Sequence, residues 1–193
     1  MFDPDSSERI LRAGARAGMG SKIHADQLAE SGGTRVANDV RAVSADHMVH
    51  APSREFRRMI KTSVIPVLLP ASSHSLLSGD RAPASELLSM GLPVALGSDF
   101  SPSNWIIGPL TVAAVAAREL RMKAAQIIRG ITINAARALD RDDQLGSLAS
   151  GKAADIVVLK APSHKWIGYT YGEGLVDRVL IAGKEEVRAG NRI

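Results

Sequence analysis

Three side chains able to hold a metal ion stand at comparable places in this sequence. His24 sits near the end of the short run Lys22-Ile23-His24-Ala25, His47 closes Ser44-Ala45-Asp46-His47, and Asp99 closes Leu92-Pro93-Val94-Ala95-Leu96-Gly97-Ser98-Asp99. Two imidazoles and a carboxylate are borderline-hard donors that suit Zn²⁺ or iron, and a catalytic site of this kind keeps one position open for water. A bound cation lowers the pKa of that water, and a neighbouring His or Asp takes its proton before attack on a carbonyl-like carbon. Each residue also has a plainer explanation. A single His at a strand end is commonly an ordinary hydrogen-bonded residue, His47 could be a satisfied core histidine beside Asp46, and Gly97-Ser98-Asp99 could be a turn. Three strand ends carrying His, His and Asp in that order are harder to explain this way. His50 reads as loop surface, His164 as structural, and His74 stays open.

The elements that must position these residues alternate along the chain. Asp3-Pro4-Asp5-Ser6-Ser7 offers a cap and a Pro for a helix through Ile10, Leu11 and Ala15, ended by Gly18 and Gly20. A second helix is expected over residues 34–41, and a third opens at Pro52-Ser53 and runs through Phe56, Met59 and Ile60. Val64 to Pro70 is continuously apolar, as expected of a strand buried on both faces. A helix over 84–90 stops at Gly91, and residues 92–99 form the fourth strand. Four βα units in order predict an α/β fold with a parallel sheet, part of a (β/α) barrel. In such a barrel the C-terminal strand ends converge over one mouth. Helices are then expected over 110–120, 123–129 and 133–139. From Gly146 the chain turns β-like, with a strand over 154–159 and a hairpin over 176–187 turning at Gly183-Lys184. The boundary is placed near residue 144: residues 1–144 form the barrel portion and 145–193 a small β appendage.

Composition narrows the function classes. Among 193 residues, 45% are hydrophobic and 23% charged, an ordinary globular balance with enough apolar material for a core. With no cysteine, disulfides and thiolate metal sites are excluded. The opening lacks the apolar stretch of a secretory signal, and no run approaches the ~20 apolar residues of a membrane span, so a soluble, cytoplasmic protein is expected, without a membrane partner. The net charge of +4 raises a nucleic-acid reading. The basic groups Arg54, Arg57, Arg58, Lys61 and Arg118, Arg121, Lys123 lie at helical spacings with Glu55 and Glu119 nearby, without an aromatic platform. No nucleic-acid partner is expected. Gly146 to Ala153 approaches a phosphate loop, but the last position is Ala rather than Ser or Thr, and a strand follows instead of a helix.

Longer segments carry a family resemblance. Lys22-Ile23-His24-Ala25-Asp26-Gln27, Ser44-Ala45-Asp46-His47, Val67-Leu68-Leu69-Pro70 and Ala95-Leu96-Gly97-Ser98-Asp99-Phe100 resemble the imidazolonepropionase family of the amidohydrolase superfamily. The likeness continues through Leu120-Arg121-Met122, Thr132-Ile133-Asn134-Ala135-Ala136 and Gly146-Ser147-Leu148 to Gly151-Lys152-Ala153-Ala154-Asp155-Ile156-Val157. It implies the last four βα units of a TIM-type (β/α)8 barrel, with an appendage belonging to a composite sandwich. It implies a hydrolase acting on C–N bonds of cyclic amides or amidines, opening 4-imidazolone-5-propanoate to N-formimino-L-glutamate in histidine degradation. The implied metal, Zn²⁺ or Fe²⁺/Fe³⁺ at one ion per site, is held by His24 and Asp99. His47 and Asp99 are the implied catalytic pair. Gln27, Ser101, Ser103 and Asn104 are the implied substrate contacts. Gln27 stands where some relatives have Glu, and an amide cannot act as a base. Ser101 replaces the usual Asn of the loop Asp-Phe-Asn-Pro-Gly.

Relatives carry a His-x-His pair on the first barrel strand, and this sequence has no His-x-His. The chain is expected to begin before the helix leading to the family's fifth strand. Four strands leave a barrel open and its edges exposed. The expected partner is therefore another copy of the chain or a complementing N-terminal half, and the metal is expected to be substoichiometric in the chain alone. A non-catalytic subunit that keeps the fold for assembly is the alternative.

Overall fold

The computed structural model describes residues 3–171 and 174–193. Helix α1, Pro4–Arg16, opens under Asp3, whose carboxylate accepts from the Ser6 N–H at 2.8 Å. The order continues as β1 Lys22–Ala25, α2 Gly33–Val40, β2 Ser44–His47, α3 Ser53–Thr62, β3 Ile65–Leu68, α4 Pro70–Ser75, α5 Ala84–Ser89 and β4 Ala95–Leu96. The four strands form one parallel sheet in the order β1-β2-β3-β4. Consecutive strands are neighbours because each connection carries a helix back over the sheet, as parallel pairing requires.

Helix α2 approaches β1 closely, and Gly33 is the residue that allows it: a Cβ there would lie 2.8 Å from the Ala25 Cα. Against the sheet, Phe56 and Met59 of α3, Leu87 of α5 and Val112, Ala113 and Ala116 of α6, Pro109–Glu119, build the apolar core with Ala45, Leu68 and Leu96. Helices α7, Ala124–Ile131, and α8, Ile133–Arg137, close over β4, where the Asn134 side-chain amide donates to the Val94 carbonyl at 2.9 Å.

A second sheet follows, antiparallel, of β5 Ile156–Leu159, β6 Val176–Ile181, β7 Lys184–Arg188 and β8 Asn191–Arg192. Its hairpin turns at Ala182 and Gly183, both at positive φ. This is one residue earlier than the Gly183-Lys184 turn expected from sequence.

Three differences from the sequence reading matter for the site. The fourth strand is two residues long, not eight, so Asp99 stands in the loop beyond it. Helix α4 was not expected. It begins at Pro70, which reads in sequence as the end of a strand but serves as the first helical residue, where its missing N–H costs nothing. The terminal strand β8 was also not expected.

Candidate metal centre

Strand β1 delivers His24 and β2 delivers His47, both at C-terminal ends, and the loop after β4 brings Asp99 between them. The Nε2 of His24 lies 3.9 Å from Asp99 Oδ1, and the Nε2 of His47 lies 3.8 Å from Asp99 Oδ2. One ligand atom from each of the three residues falls within 4.8 Å of the others. Donors about 2.1 Å from a shared Zn²⁺ stand roughly 3.4 Å apart in a tetrahedral site. The three side chains therefore fit one cation after closing by up to about 1.4 Å per donor pair. Their chemistry, two nitrogens and one oxygen, suits zinc or iron. The His24 side chain is 61% exposed, Asp99 19% and His47 1%, so the cluster opens to solvent on the β1 side.

The two histidines differ electrostatically. The Asp46 carboxylate beside His24 Nδ1 raises the pKa of that ring against the opposing effect of burial, and the charge of Asp99 adds to the increase. Burial lowers the pKa of His47, and the charge of His24 adds to the decrease, while Asp99 and Asp46 oppose it. Burial thus favours the neutral form of the His47 ring. Its Nδ1 is buried with no hydrogen-bond partner among the described residues.

Backbone shape aims these groups. His47, Met48 and Asp99 have φ values of 71°, 55° and 54°, a left-handed conformation uncommon outside glycine. Such strain is tolerated where surrounding contacts hold it. The Met48 N–H donates to the Ala25 carbonyl at 2.9 Å and the His50 N–H to the Asp26 carbonyl at 2.8 Å, tying the loop after β2 to the end of β1. Asp26 is itself locked. One carboxylate oxygen accepts from the N–H groups of Ser31 and Gly33, and the other accepts from the Thr34 N–H and hydroxyl. Burial pushes its pKa up, and these hydrogen bonds outweigh burial to leave it below the usual carboxylate value.

Among the residues expected to contact substrate, Gln27 lines a cavity of about 340 Å³ beside His24, together with Pro4, Ile23, Leu28 and Val36. Ser101 and Ser103 stand near each other in the loop after Asp99, their hydroxyl oxygens 3.2 Å apart and exposed. Asn104 is buried and its amide is engaged by the protein. It donates to the Ser98 and Asp99 carbonyls at 2.7 and 3.2 Å and accepts from the Ser75 hydroxyl and the Ile106 N–H. Asn104 thus clasps the loop that carries Asp99. His50 approaches Asp80 at 3.8 Å, His74 pairs with Glu119 at 3.2 Å, and His164 begins an exposed 3-10 turn. None of the three joins the cluster.

Asp46 was not singled out from sequence as a site residue. The available signal was alternation: in Ser44-Ala45-Asp46-His47 the polar Ser44 and Asp46 share one face of the strand.

Comparison with known proteins bears on the family and the fold. A family model described as the amidohydrolase family matches residues 7–185. An imidazolonepropionase from Alkaliphilus oremlandii is 37% identical over the whole chain, which covers 46% of that protein. One from Haloarcula marismortui is 40% identical over 95% of the chain and 43% of its own length. The chain thus spans about half the length of the curated relatives it matches. Among solved structures, a zinc-bound adenosine deaminase from Xanthomonas campestris superposes with a TM-score of 0.81 at 24% identity, over all of this chain and 51% of its own. An Aspergillus niger ochratoxinase gives 0.78 at 19% identity, over 97% of this chain and 46% of its own. At those identities the likeness is one of fold. Matched by its model over nearly all of its length, the chain belongs to the amidohydrolase family.

Proposed function

We propose that His24, His47 and Asp99 form the cation-binding part of a hydrolase centre of the imidazolonepropionase type. The reaction adds water across a ring C–N bond of 4-imidazolone-5-propanoate, giving N-formimino-L-glutamate in a cytoplasmic step of histidine degradation. The convergence of the three donors within 4.8 Å carries this reading, and identity to imidazolonepropionases across the whole chain supports it. Zinc or iron, held by His24 and Asp99 with His47 alongside, would polarise the reacting carbonyl and acidify water.

The protein's own groups do the rest. Asp99 and neutral His47, 3.8 Å apart, take the proton from the attacking water and return one to the departing ring nitrogen. Gln27 offers an amide to the substrate beside His24, and the Ser101 and Ser103 hydroxyls offer donors from the opposite loop. Asn104 serves the substrate by holding that loop.

We further place residues 1–144 as the C-terminal half of a (β/α) barrel and 145–193 as part of a sandwich domain. Among the described residues, the exposure of His24, the edge of β1 without a strand beside it and a set of three donors favour a centre completed by another polypeptide surface. That surface is either a second copy or a complementing N-terminal half. The competing reading is a non-catalytic subunit kept for assembly.

Loss of imidazolone absorbance separates these readings, measured with zinc or iron for the chain alone and for the chain mixed with the His-x-His half of an imidazolonepropionase. Turnover is expected only in the mixture, and His47→Ala or Asp99→Ala should abolish it. No turnover in either arrangement favours the non-catalytic reading. Metal-dependent turnover by the chain alone would mean that a second copy completes the centre.

A further inference from the structure

His24 and Asp46 face each other across the β1–β2 pairing, and the parallel register makes them direct partners. Side chains at paired positions of neighbouring strands share a face of the sheet. Asp46 Oδ2 lies 3.3 Å from His24 Nδ1, within ion-pair reach and just beyond the usual N–H···O range of about 2.7–3.2 Å. The other oxygen, Oδ1, accepts from the Ser44 hydroxyl at 2.8 Å. Ser44 is fully buried and Asp46 is 8% exposed, so the carboxylate is fixed in place with one oxygen committed and the other turned to the ring. Among the described residues no Lys or Arg forms an ion pair with Asp46. A buried carboxylate without a positive partner is costly, and the imidazole N–H is the donor on hand to offset that cost.

Both ring nitrogens of His24 then face a carboxylate, Nδ1 at the shorter distance. Nδ1 meets the Asp46 carboxylate, and Nε2 faces Asp99 across 3.9 Å, in the space shared with His47. A neutral imidazole carries one proton. On Nε2 it would leave the Nδ1 lone pair pressed against a carboxylate oxygen. On Nδ1 it satisfies Asp46 and leaves the Nε2 lone pair pointing into the cluster. The hydrogen bond made by one ring nitrogen decides what the other can bind.

We propose that Asp46, braced by Ser44, is the positioning residue of this centre: its carboxylate takes the Nδ1–H of His24 and so aims the Nε2 lone pair at the space bounded by Asp99 and His47. The assignment rests on the metal-centre reading above only for the purpose of the lone pair, not for the pairing itself. Asp46 touches neither substrate nor cation and acts through His24.

Long-range ¹H–¹⁵N spectra of the metal-free 193-residue chain at about pH 9, where an ordinary imidazole is neutral, report which ring nitrogen of His24 carries the proton. His24→Gln identifies the signals. The Nδ1–H form is expected in the native chain. Asp46→Ala should return the ring to the Nε2–H form that free imidazole side chains favour. Asp46→Asn should keep the Nδ1–H form, because its amide oxygen still accepts. In Co²⁺ titrations followed by the visible absorption band, Asp46→Ala should weaken binding roughly 10–100-fold and Asp46→Asn less. A merely structural role would not move the tautomer. The Nε2–H form in the native chain would overturn the proposal, and so would a folded Asp46→Ala chain with native tautomer and native Co²⁺ affinity. If Asp46→Ala does not fold, the native spectrum and Asp46→Asn decide. The Nδ1–H form without any Co²⁺ uptake would instead remove the metal reading and uphold the Asp46–His24 pairing.

Discussion

The rings of His24 and His47 meet edge to face, their centroids 4.7 Å apart and their planes at 78°. Strand register alone would not produce this contact. The register sets His24 opposite Asp46 and His47 opposite Ala25, and successive residues of a strand point to opposite faces. The left-handed turn at His47 and Met48 ends the strand and swings the second imidazole back over the first. Holding non-glycine residues there costs about 1 kcal/mol or more each. The backbone bonds to Ala25 and Asp26 secure that conformation.

Cation binding should depend on His24 and Asp99, with His47 alongside. The purified chain is expected to hold less than one equivalent of zinc or iron after dialysis, because water must fill the positions that three protein donors leave. His24→Ala or Asp99→Ala should remove what remains. Elemental analysis decides the matter: one tightly held ion per chain that survives His24→Ala would refute the assignment.

Asn104→Ala should both destabilise the chain and loosen Asp99. The buried amide makes four hydrogen bonds, two of them to the backbone carbonyls of Ser98 and Asp99. Leaving those partners unpaired should cost about 1–3 kcal/mol. Urea unfolding measures the loss, and Co²⁺ affinity should fall in the same variant. Native affinity in a destabilised Asn104→Ala chain would show that Asp99 is held by other contacts.

Gly33→Ala should destabilise although it adds a better helix former. Alanine gains about 1 kcal/mol over glycine inside a helix. Here its Cβ would meet the Ala25 Cα at 2.8 Å and the Ala25 Cβ at 3.0 Å, so α2 or β1 must shift. A lower thermal midpoint for the variant is expected. An unchanged or higher midpoint would mean that the helix moves off the strand at little cost.

The ion-pair network of α2 and α3 should make stability depend on acid. Asp39 is paired with Arg58 at 2.5 Å and with Arg35 at 2.8 Å. Burial raises its pKa, and the hydrogen bond and charge of Arg58, with Arg35 adding, outweigh burial and lower it. A carboxyl whose folded pKa is lowered contributes stability above its unfolded pKa of about 3.9 and loses it as pH falls through the folded value. Because these side chains are partly exposed, Asp39→Asn should cost about 1 kcal/mol or less at neutral pH. The difference from the native chain should vanish below both pKa values. Urea midpoints that differ equally at neutral and strongly acidic pH would count against this account.

Much of the architecture was legible because it rests on local pattern. Short segments ending in polar residues mark β1 and β2, the continuous apolar run of 64–70 marks β3, the helical spacing of Phe56, Met59 and Ile60 marks α3, and the order of alternation implies a parallel sheet. The candidate donors were legible for the same reason, since a strand end is a place that sequence can locate. Helix α4 was hidden because Pro70 suits either the end of a strand or the first turn of a helix, and only the packing of Ala71 and its neighbours against the core chooses between them. Strand β4 is shorter than its apolar run because pairing with β3 stops at Leu96, which places Asp99 in a loop held by Asn104 five residues on. The role of Asp46, the lowered pKa of His47 and the meeting of the two imidazoles all depend on groups far apart in the chain. Residue order determined which donors this protein has and roughly where its strands end. Tertiary structure decided which nitrogen faces which carboxylate, because left-handed turns, strand register and burial act only once the chain has folded.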